Sequence, residues 1–109
     1  MSGGIEDIEG DLPDRREPSD AVIRILKIVN KKGMHARAAA KFMQAVERFD
    51  AQVQVTRGGE TVDGSSILDL LMLAAGQGTY ITVEATGKEA SAVADELEKL
   101  VSSGFGEEG

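Results

Sequence analysis

The spacing of apolar residues between positions 21 and 103 predicts four strands and three helices. Residues 52–56 (QVQVT) alternate apolar and polar side chains with a period of two, which is typical of a half-buried strand. After His35 the spacing becomes helical, with apolar residues at Ala39, Phe42, Met43 and Val46. The predicted strands cover residues 22–29, 52–56, 61–63 and 79–85. The predicted helices cover residues 35–50, 66–75 and 88–103.

The order of these elements, β-α-β-β-α-β-α, predicts an α+β fold. Residues 57–60 (RGGE) have the composition of a hairpin turn, so the two central strands pair antiparallel. Three helices and four strands form two layers most simply. We therefore expect a four-stranded antiparallel sheet covered on one face by three helices, with the other face open to solvent.

The chain divides into one domain and two flanking segments. Residues 1–20 contain both prolines and seven acidic side chains but few large apolar groups, so we expect an acidic, disordered N-terminal tail. Residues 21–103 form the predicted domain. Residues 104–109 (GFGEEG) are expected to be a flexible C-terminal end.

The composition excludes several classes of chemistry. The 109 residues contain no cysteine, which excludes disulfides, zinc–thiolate sites and thiol catalysis. The single histidine has no carboxylate pair beside it, so no metal site is expected. No apolar run approaches the roughly 18 residues that a membrane span needs. The N-terminus does not have the pattern of a signal peptide, and we expect a cytoplasmic protein that does not bind membranes.

The net charge of −7 argues against a nucleic-acid-binding protein, but it is unevenly distributed. Residues 21–46 carry six basic side chains and no acidic one, whereas the segments on either side are acidic. The only histidine, His35, lies in this basic segment. Such a cluster suggests an anionic ligand or an acidic partner. Alternatively, these side chains only solvate a strand edge and a helix face.

The segment Gly33-Met34-His35-Ala36-Arg37 is the first candidate site. His35 falls where a loop becomes a helix, and the free N–H groups at a helix start attract anions. A neutral ring nitrogen of His35 could attack a phosphoryl group, and Arg37 could hold the resulting phosphate. The alternative is that His35 is a helix cap or an ordinary surface histidine. Hydrolysis with His35 as base is disfavoured because residues 21–46 contain no acid to orient the ring.

The second candidate site is the start of the helix predicted at 66–75. Ser66 and Asp69 have the spacing of a capping box, so Ser66 is first of all a candidate helix N-cap. The helix is apolar on nearly every side. A short helix at the edge of a small domain is expected to leave part of that surface exposed for a partner, unless a thicker core lies beneath it.

Taken together, these motifs resemble the HPr family, the histidine phosphocarriers of the bacterial phosphotransferase system. The resemblance is carried by residues 32–42 (KGMHARAAAKF), by Ser65-Ser66-Ile67-Leu68 and by Gly76-Gln77-Gly78-Thr79, and it covers about residues 22–103. The family's element order is also β-α-β-β-α-β-α, an open-faced β-sandwich. The alanine-rich motif and the SSILDLLMLAAG helix look like proteobacterial versions, which often serve a nitrogen-related (NPr-like) branch.

The resemblance implies a monomeric carrier without a cofactor. His35 would accept a phosphoryl group from phospho-enzyme I, through the ring nitrogen nearer the backbone, and pass it to an enzyme IIA. Arg37 would bind that phosphate, and Ser66 matches the position that HPr kinase/phosphorylase modifies in many members. The expected partner-binding residues of the second helix are Ile67, Leu68, Leu71 and Met72.

Two departures from the family pattern concern these sites. Ala38 stands where the family commonly has a proline, which would fix an early helical dihedral angle. Asp69 places an acid near Ser66 and would repel a phosphate there. The alternative function is a regulatory interaction module that is switched by phosphorylation of Ser66 rather than of His35.

Overall fold

The computed structural model describes residues 21–107. The predicted acidic tail at 1–20 and the last two residues lie outside this range. The helices described have at most 13 residues, and none of them is long and apolar enough to cross a membrane.

Four antiparallel strands form one sheet with the order β1-β4-β2-β3. The strands are β1 (Val22–Lys27), β2 (Gln52–Arg57), β3 (Glu60–Asp63) and β4 (Tyr80–Thr86). The β2–β3 hairpin pairs Arg57 with Glu60, as the turn sequence predicts. The first and last strands of the sequence lie side by side, with Leu26 opposite Ile81.

Three helices cover one face of this sheet, which confirms the predicted fold class. They are α1 (Ala36–Glu47), α2 (Ile67–Met72) and α3 (Ala90–Ser102). The apolar faces of α1 and α3 contribute Phe42 and Leu97 to the core. The sheet contributes Val55 of β2 and Val83 of β4. All four side chains are fully buried. Burial of each such side chain contributes about 1.5–3 kcal/mol to folding. The opposite face of the sheet carries exposed side chains, including Ile23 and Ile25 of the edge strand.

Helix α2 is shorter than the predicted range of 66–75. It ends at Met72, and Ala74 adopts a left-handed conformation with φ of 52°. The carbonyls beyond the helix have partners elsewhere: that of Leu73 accepts from Arg57 Nη1 at 3.1 Å, and that of Ala75 accepts from the Met34 amide at 2.9 Å. These tertiary hydrogen bonds replace the bonds of further helical turns.

The chain after α3 differs from the expected flexible end at residues 104–107. Gly104–Gly106 forms a short 3₁₀ turn, and Phe105 is only 1% exposed because its ring completes the core. We call residues 104–107 the C-terminal segment.

The loop before α1 packs closely against the connection between α2 and β4. Gly33 has a φ of +65°, and a Cβ atom there would lie 2.5 Å from the carbonyl oxygen of Ala75 and 2.9 Å from the Cα of Gly76. Because Gly33 lacks this atom, the two segments can meet and form the Met34–Ala75 hydrogen bond.

We therefore expect Gly33→Ala to destabilise the domain more than Gly58→Ala. Gly58 has a similar φ of +59°, but nothing lies within 4 Å of an added Cβ atom. Both substitutions carry the left-handed backbone cost of about 1–2 kcal/mol, and only the first adds a steric clash. Urea unfolding measures the difference, which we expect to exceed about 1 kcal/mol. Equal losses for the two variants would show that this close contact does not constrain the loop.

Candidate functional site

His35 occupies the N-cap position of α1. Its backbone is extended (φ −81°, ψ −178°), and its carbonyl accepts from the Ala39 amide at 2.8 Å. The side chain makes no capping hydrogen bond, so the ring is available for other contacts. Within residues 21–107, the amides of Ala36, Arg37 and Ala38 donate to no acceptor, as expected for the first turn of a helix. The ring therefore lies beside a group of free donors and the positive end of the helix dipole.

The His35 ring contacts a carboxylate that is distant in sequence. Its Nε2 atom is hydrogen-bonded to Oε2 of Glu107, and both side chains are mostly buried, with exposed fractions of 26% and 21%. The other oxygen of Glu107 accepts from Asn30 Nδ2 at 3.1 Å, and the same Nδ2 donates to the Gly33 carbonyl at 2.9 Å. The C-terminal segment is thus part of the His35 site.

Glu107 is held in its charged form by these contacts. The hydrogen bond with His35 lowers the pKa of Glu107 below its ordinary value, and the hydrogen bond from Asn30 and the nearby charge of Lys32 act in the same direction. Partial burial opposes these effects but does not cancel them.

The six bases of residues 21–46 do not share one surface. Arg24 forms ion pairs with Asp95 and Glu98 of α3, at 2.7 and 3.0 Å, and Lys27 lies over the ring of Tyr80. These two bases of the edge strand β1 fit the alternative interpretation, in which some of the bases only solvate a strand edge and a helix face.

The remaining bases belong to the His35 loop and to α1. Lys31, Lys32 and Arg37 are exposed, and Arg37 is the second residue of α1. Lys41, on the next turn of α1, donates to the carbonyl of Phe105 at 2.7 Å. The positive charge near the ring is therefore smaller than the sequence block indicates.

Ser66 is the N-cap of α2, as its spacing predicts. Its Oγ accepts a hydrogen bond from the Asp69 amide at 3.2 Å, and its own amide donates to the Asp63 carbonyl at 3.2 Å. The reciprocal bond of a full capping box, from the Ser66 amide to the Asp69 carboxylate, is therefore absent. Ser66 remains partly exposed.

Helix α2 presents an apolar surface to solvent. Leu68 and Met72, four residues apart, are 67% and 62% exposed, whereas Ile67 and Leu71 pack partly against the core. Only Leu70 of the helix is fully buried. The helix thus divides its apolar residues between the core and an exposed strip, as expected for an element of this length at the domain edge.

The structure brings His35 and Arg37 together at one helix start and places Ser66 at another. Sequence reasoning missed Glu107, whose carboxylate contacts the His35 ring, and Asn30, which donates to Glu107 and to the Gly33 carbonyl. Hydrolysis was disfavoured because residues 21–46 contain no acid that could orient the His35 ring. Glu107, outside that segment, is an acid that contacts the ring. The signal for Glu107 was Phe105, a large apolar residue in an otherwise glycine-rich and acidic end.

Comparisons with known proteins identify the family of this chain. A family model described as "PTS HPr component phosphorylation site" matches residues 22–103. The phosphocarrier protein HPr of Cupriavidus necator is 44% identical over 80 residues, which cover 73% of this chain and 90% of that protein. The phosphocarrier protein NPr of Shewanella violacea is 39% identical over 84 residues, covering 77% and 92%.

A solved structure also has this fold. The crystal structure of HPr-C-His from Thermoanaerobacter tengcongensis superimposes with a TM-score of 0.77 at 33% identity, covering 80% of this chain and 98% of that one. The sequence matches and the shared fold show that this chain belongs to the HPr family and is a phosphocarrier component of the phosphotransferase system.

Proposed function

We propose that His35 of this phosphocarrier accepts a phosphoryl group from phospho-enzyme I and passes it to an enzyme IIA. The single observation that carries the proposal is the position of His35 at the start of α1, where its side chain makes no capping bond and free amide donors lie beside it. A nucleophile beside an anion-binding helix start has the two properties that reversible phosphorylation needs.

Arg37 is the proposed clamp for the phosphoryl group. It lies in the first turn of α1 and is exposed, and no ion pair within residues 21–107 engages its guanidinium. Arginine donates to phosphate oxygens in a fork geometry, so it can stabilise both the transferring group and the phosphohistidine.

The exposed strip of α2 is the proposed docking surface for the partner proteins. The carrier must bind its donor and then its acceptor. Flexible apolar side chains such as Met72 adapt to more than one partner. The connection that follows α2 contacts the His35 loop directly through the Met34–Ala75 hydrogen bond, so a partner that binds α2 lies close to the reacting ring.

Ser66 is a proposed regulatory site at the start of the same helix. Its hydroxyl is partly exposed, so a kinase could reach it. A phosphate on Ser66 would meet the positive end of a short helix but also the carboxylate of Asp69. It would lie beside the docking strip, where two negative charges would weaken the binding of enzyme I.

Phosphotransfer to His35 separates the carrier from a module that is switched only through Ser66. We expect incubation with enzyme I and labelled phosphoenolpyruvate to give acid-labile label in the wild type and in Ser66→Ala, and none in His35→Ala. Equal labelling of His35→Ala and the wild type would rule out the carrier function of His35.

Replacing Arg37 is expected to slow transfer without affecting folding. We expect Arg37→Ala to reduce the rate of phosphorylation by enzyme I about 10- to 100-fold, since one charged hydrogen-bond donor is lost at the transferring group. Arg48→Ala is the matched control, because Arg48 is the C-cap at the other end of α1 and pairs with Glu96 at 3.2 Å. Equal rates in the two variants would contradict a clamp role for Arg37.

The docking strip can be tested with two exposed apolar residues. We expect Leu68→Ala to raise the KM for the carrier in the enzyme I reaction about 5- to 10-fold, as for a residue near the centre of an interface. Ile25→Ala is the control, because Ile25 is 69% exposed, similar to the 67% of Leu68, but lies on the edge strand β1. If both variants change KM equally, or neither does, α2 is not the docking surface.

A further inference from the structure

The contact between His35 and the C-terminal segment has a consequence for the reacting nitrogen. An ionised carboxylate can only accept hydrogen bonds, so the ring nitrogen that faces Glu107 must carry the proton. A neutral imidazole has one N–H group. With that proton on Nε2, the lone pair lies on Nδ1.

We propose that Glu107 is a positioning residue of this site: its carboxylate holds the Nε2–H tautomer of His35, so that Nδ1 receives the phosphoryl group. This inference rests on the proposed function of His35. It gives the C-terminal segment a role that no sequence motif predicts.

Several independent contacts hold Glu107 in place. Oε1 of Glu107 accepts from Asn30 Nδ2, and Asn30 is itself only 6% exposed and bonded to the Gly33 carbonyl. Two residues before Glu107, the buried ring of Phe105 fixes the backbone, and Lys41 Nζ donates to the Phe105 carbonyl. A carboxylate on a mobile end could not orient a ring, whereas this one is attached to the core, to α1 and to the His35 loop.

The same geometry stabilises the charge that develops during transfer. The Nδ1 lone pair forms the new P–N bond, while the bond from phosphorus to the donor breaks and its electron pair leaves with the donor. The Nε2 proton stays on the ring, which becomes positively charged. Glu107 faces that proton and stabilises the cation, as the carboxylate of a catalytic triad does for its histidine. Onward transfer from the carrier reverses these changes.

The ring tautomer can be measured without any transfer reaction. In the full chain with ¹⁵N-labelled histidine, we expect the neutral His35 ring to carry its proton on Nε2. Glu107→Ala is expected to give a mixture of tautomers, and Glu107→Gln to keep mostly Nε2–H because its amide oxygen can still accept. Identical ring nitrogen shifts in the wild type and Glu107→Ala would overturn the proposal.

The transfer rate tests the role of the charge. We expect Glu107→Gln to lower the rate of phosphorylation by enzyme I about tenfold, because a charged hydrogen bond becomes a neutral one. Glu60→Gln is the control, since it makes the same change in net charge at the exposed end of the β2–β3 hairpin. Equal rates in these two variants would overturn the electrostatic part of the proposal. If the wild type itself took no phosphate, the proposed function would fail, and the tautomer measurement would still decide the role of Glu107.

Lys41 offers a test of how the segment is held. We expect Lys41→Met to slow transfer in the wild-type chain and to have no further effect in the Glu107→Ala chain, because Lys41 would act only through the placement of Glu107. An equal loss in both backgrounds would mean that Lys41 contacts the partner or the phosphate directly, and that the segment is not held in this way.

Discussion

The hydrogen bond from the Met34 amide to the Ala75 carbonyl determines where His35 lies, and the rest of the site depends on it. It joins the loop before α1 to the connection after α2, and Gly33 makes the approach possible because a Cβ atom would collide with the same carbonyl. His35 and helix α2 are therefore parts of one packed unit. A partner that displaced the end of α2 would also displace the loop that carries His35.

The basic residues that lie close together in the sequence do not form one surface in the structure. The acid-free block of residues 21–46 suggested one positive surface around His35. Arg24 instead pairs with Asp95 of α3, Lys27 lies over the ring of Tyr80, and Lys41 donates to the Phe105 carbonyl. Only the exposed bases of the loop and Arg37 remain for a phosphate or an acidic partner. A local excess of charge in a sequence therefore does not show how many of its bases share one surface.

Much of the fold could be predicted because the spacing of apolar residues within each element is enough to identify it as a strand or a helix. The strict alternation of QVQVT and the apolar stripe of α1 are local properties, and the hairpin turn fixes the antiparallel pairing. The length of α2 could not be predicted, because its end depends on hydrogen bonds to Arg57 and Met34 from other parts of the chain. Glu107 was missed for the same reason: Phe105 indicates that the end of the chain packs into the core, but the contact of Glu107 with His35 joins residues 72 positions apart and has no local pattern.

The replacement of the family's usual proline by Ala38 can be understood from these contacts. A proline at that position fixes one dihedral angle and removes an amide that has no helical partner. In this chain Ala38 is fully buried, and α1 still begins at Ala36 with His35 as its N-cap. The loop before the helix is held by Asn30, by Gly33 against Ala75, and by the C-terminal segment against the ring. Tertiary contacts therefore restrict the loop before α1, as a proline would restrict the first turn of the helix. His35 keeps its position at the helix start.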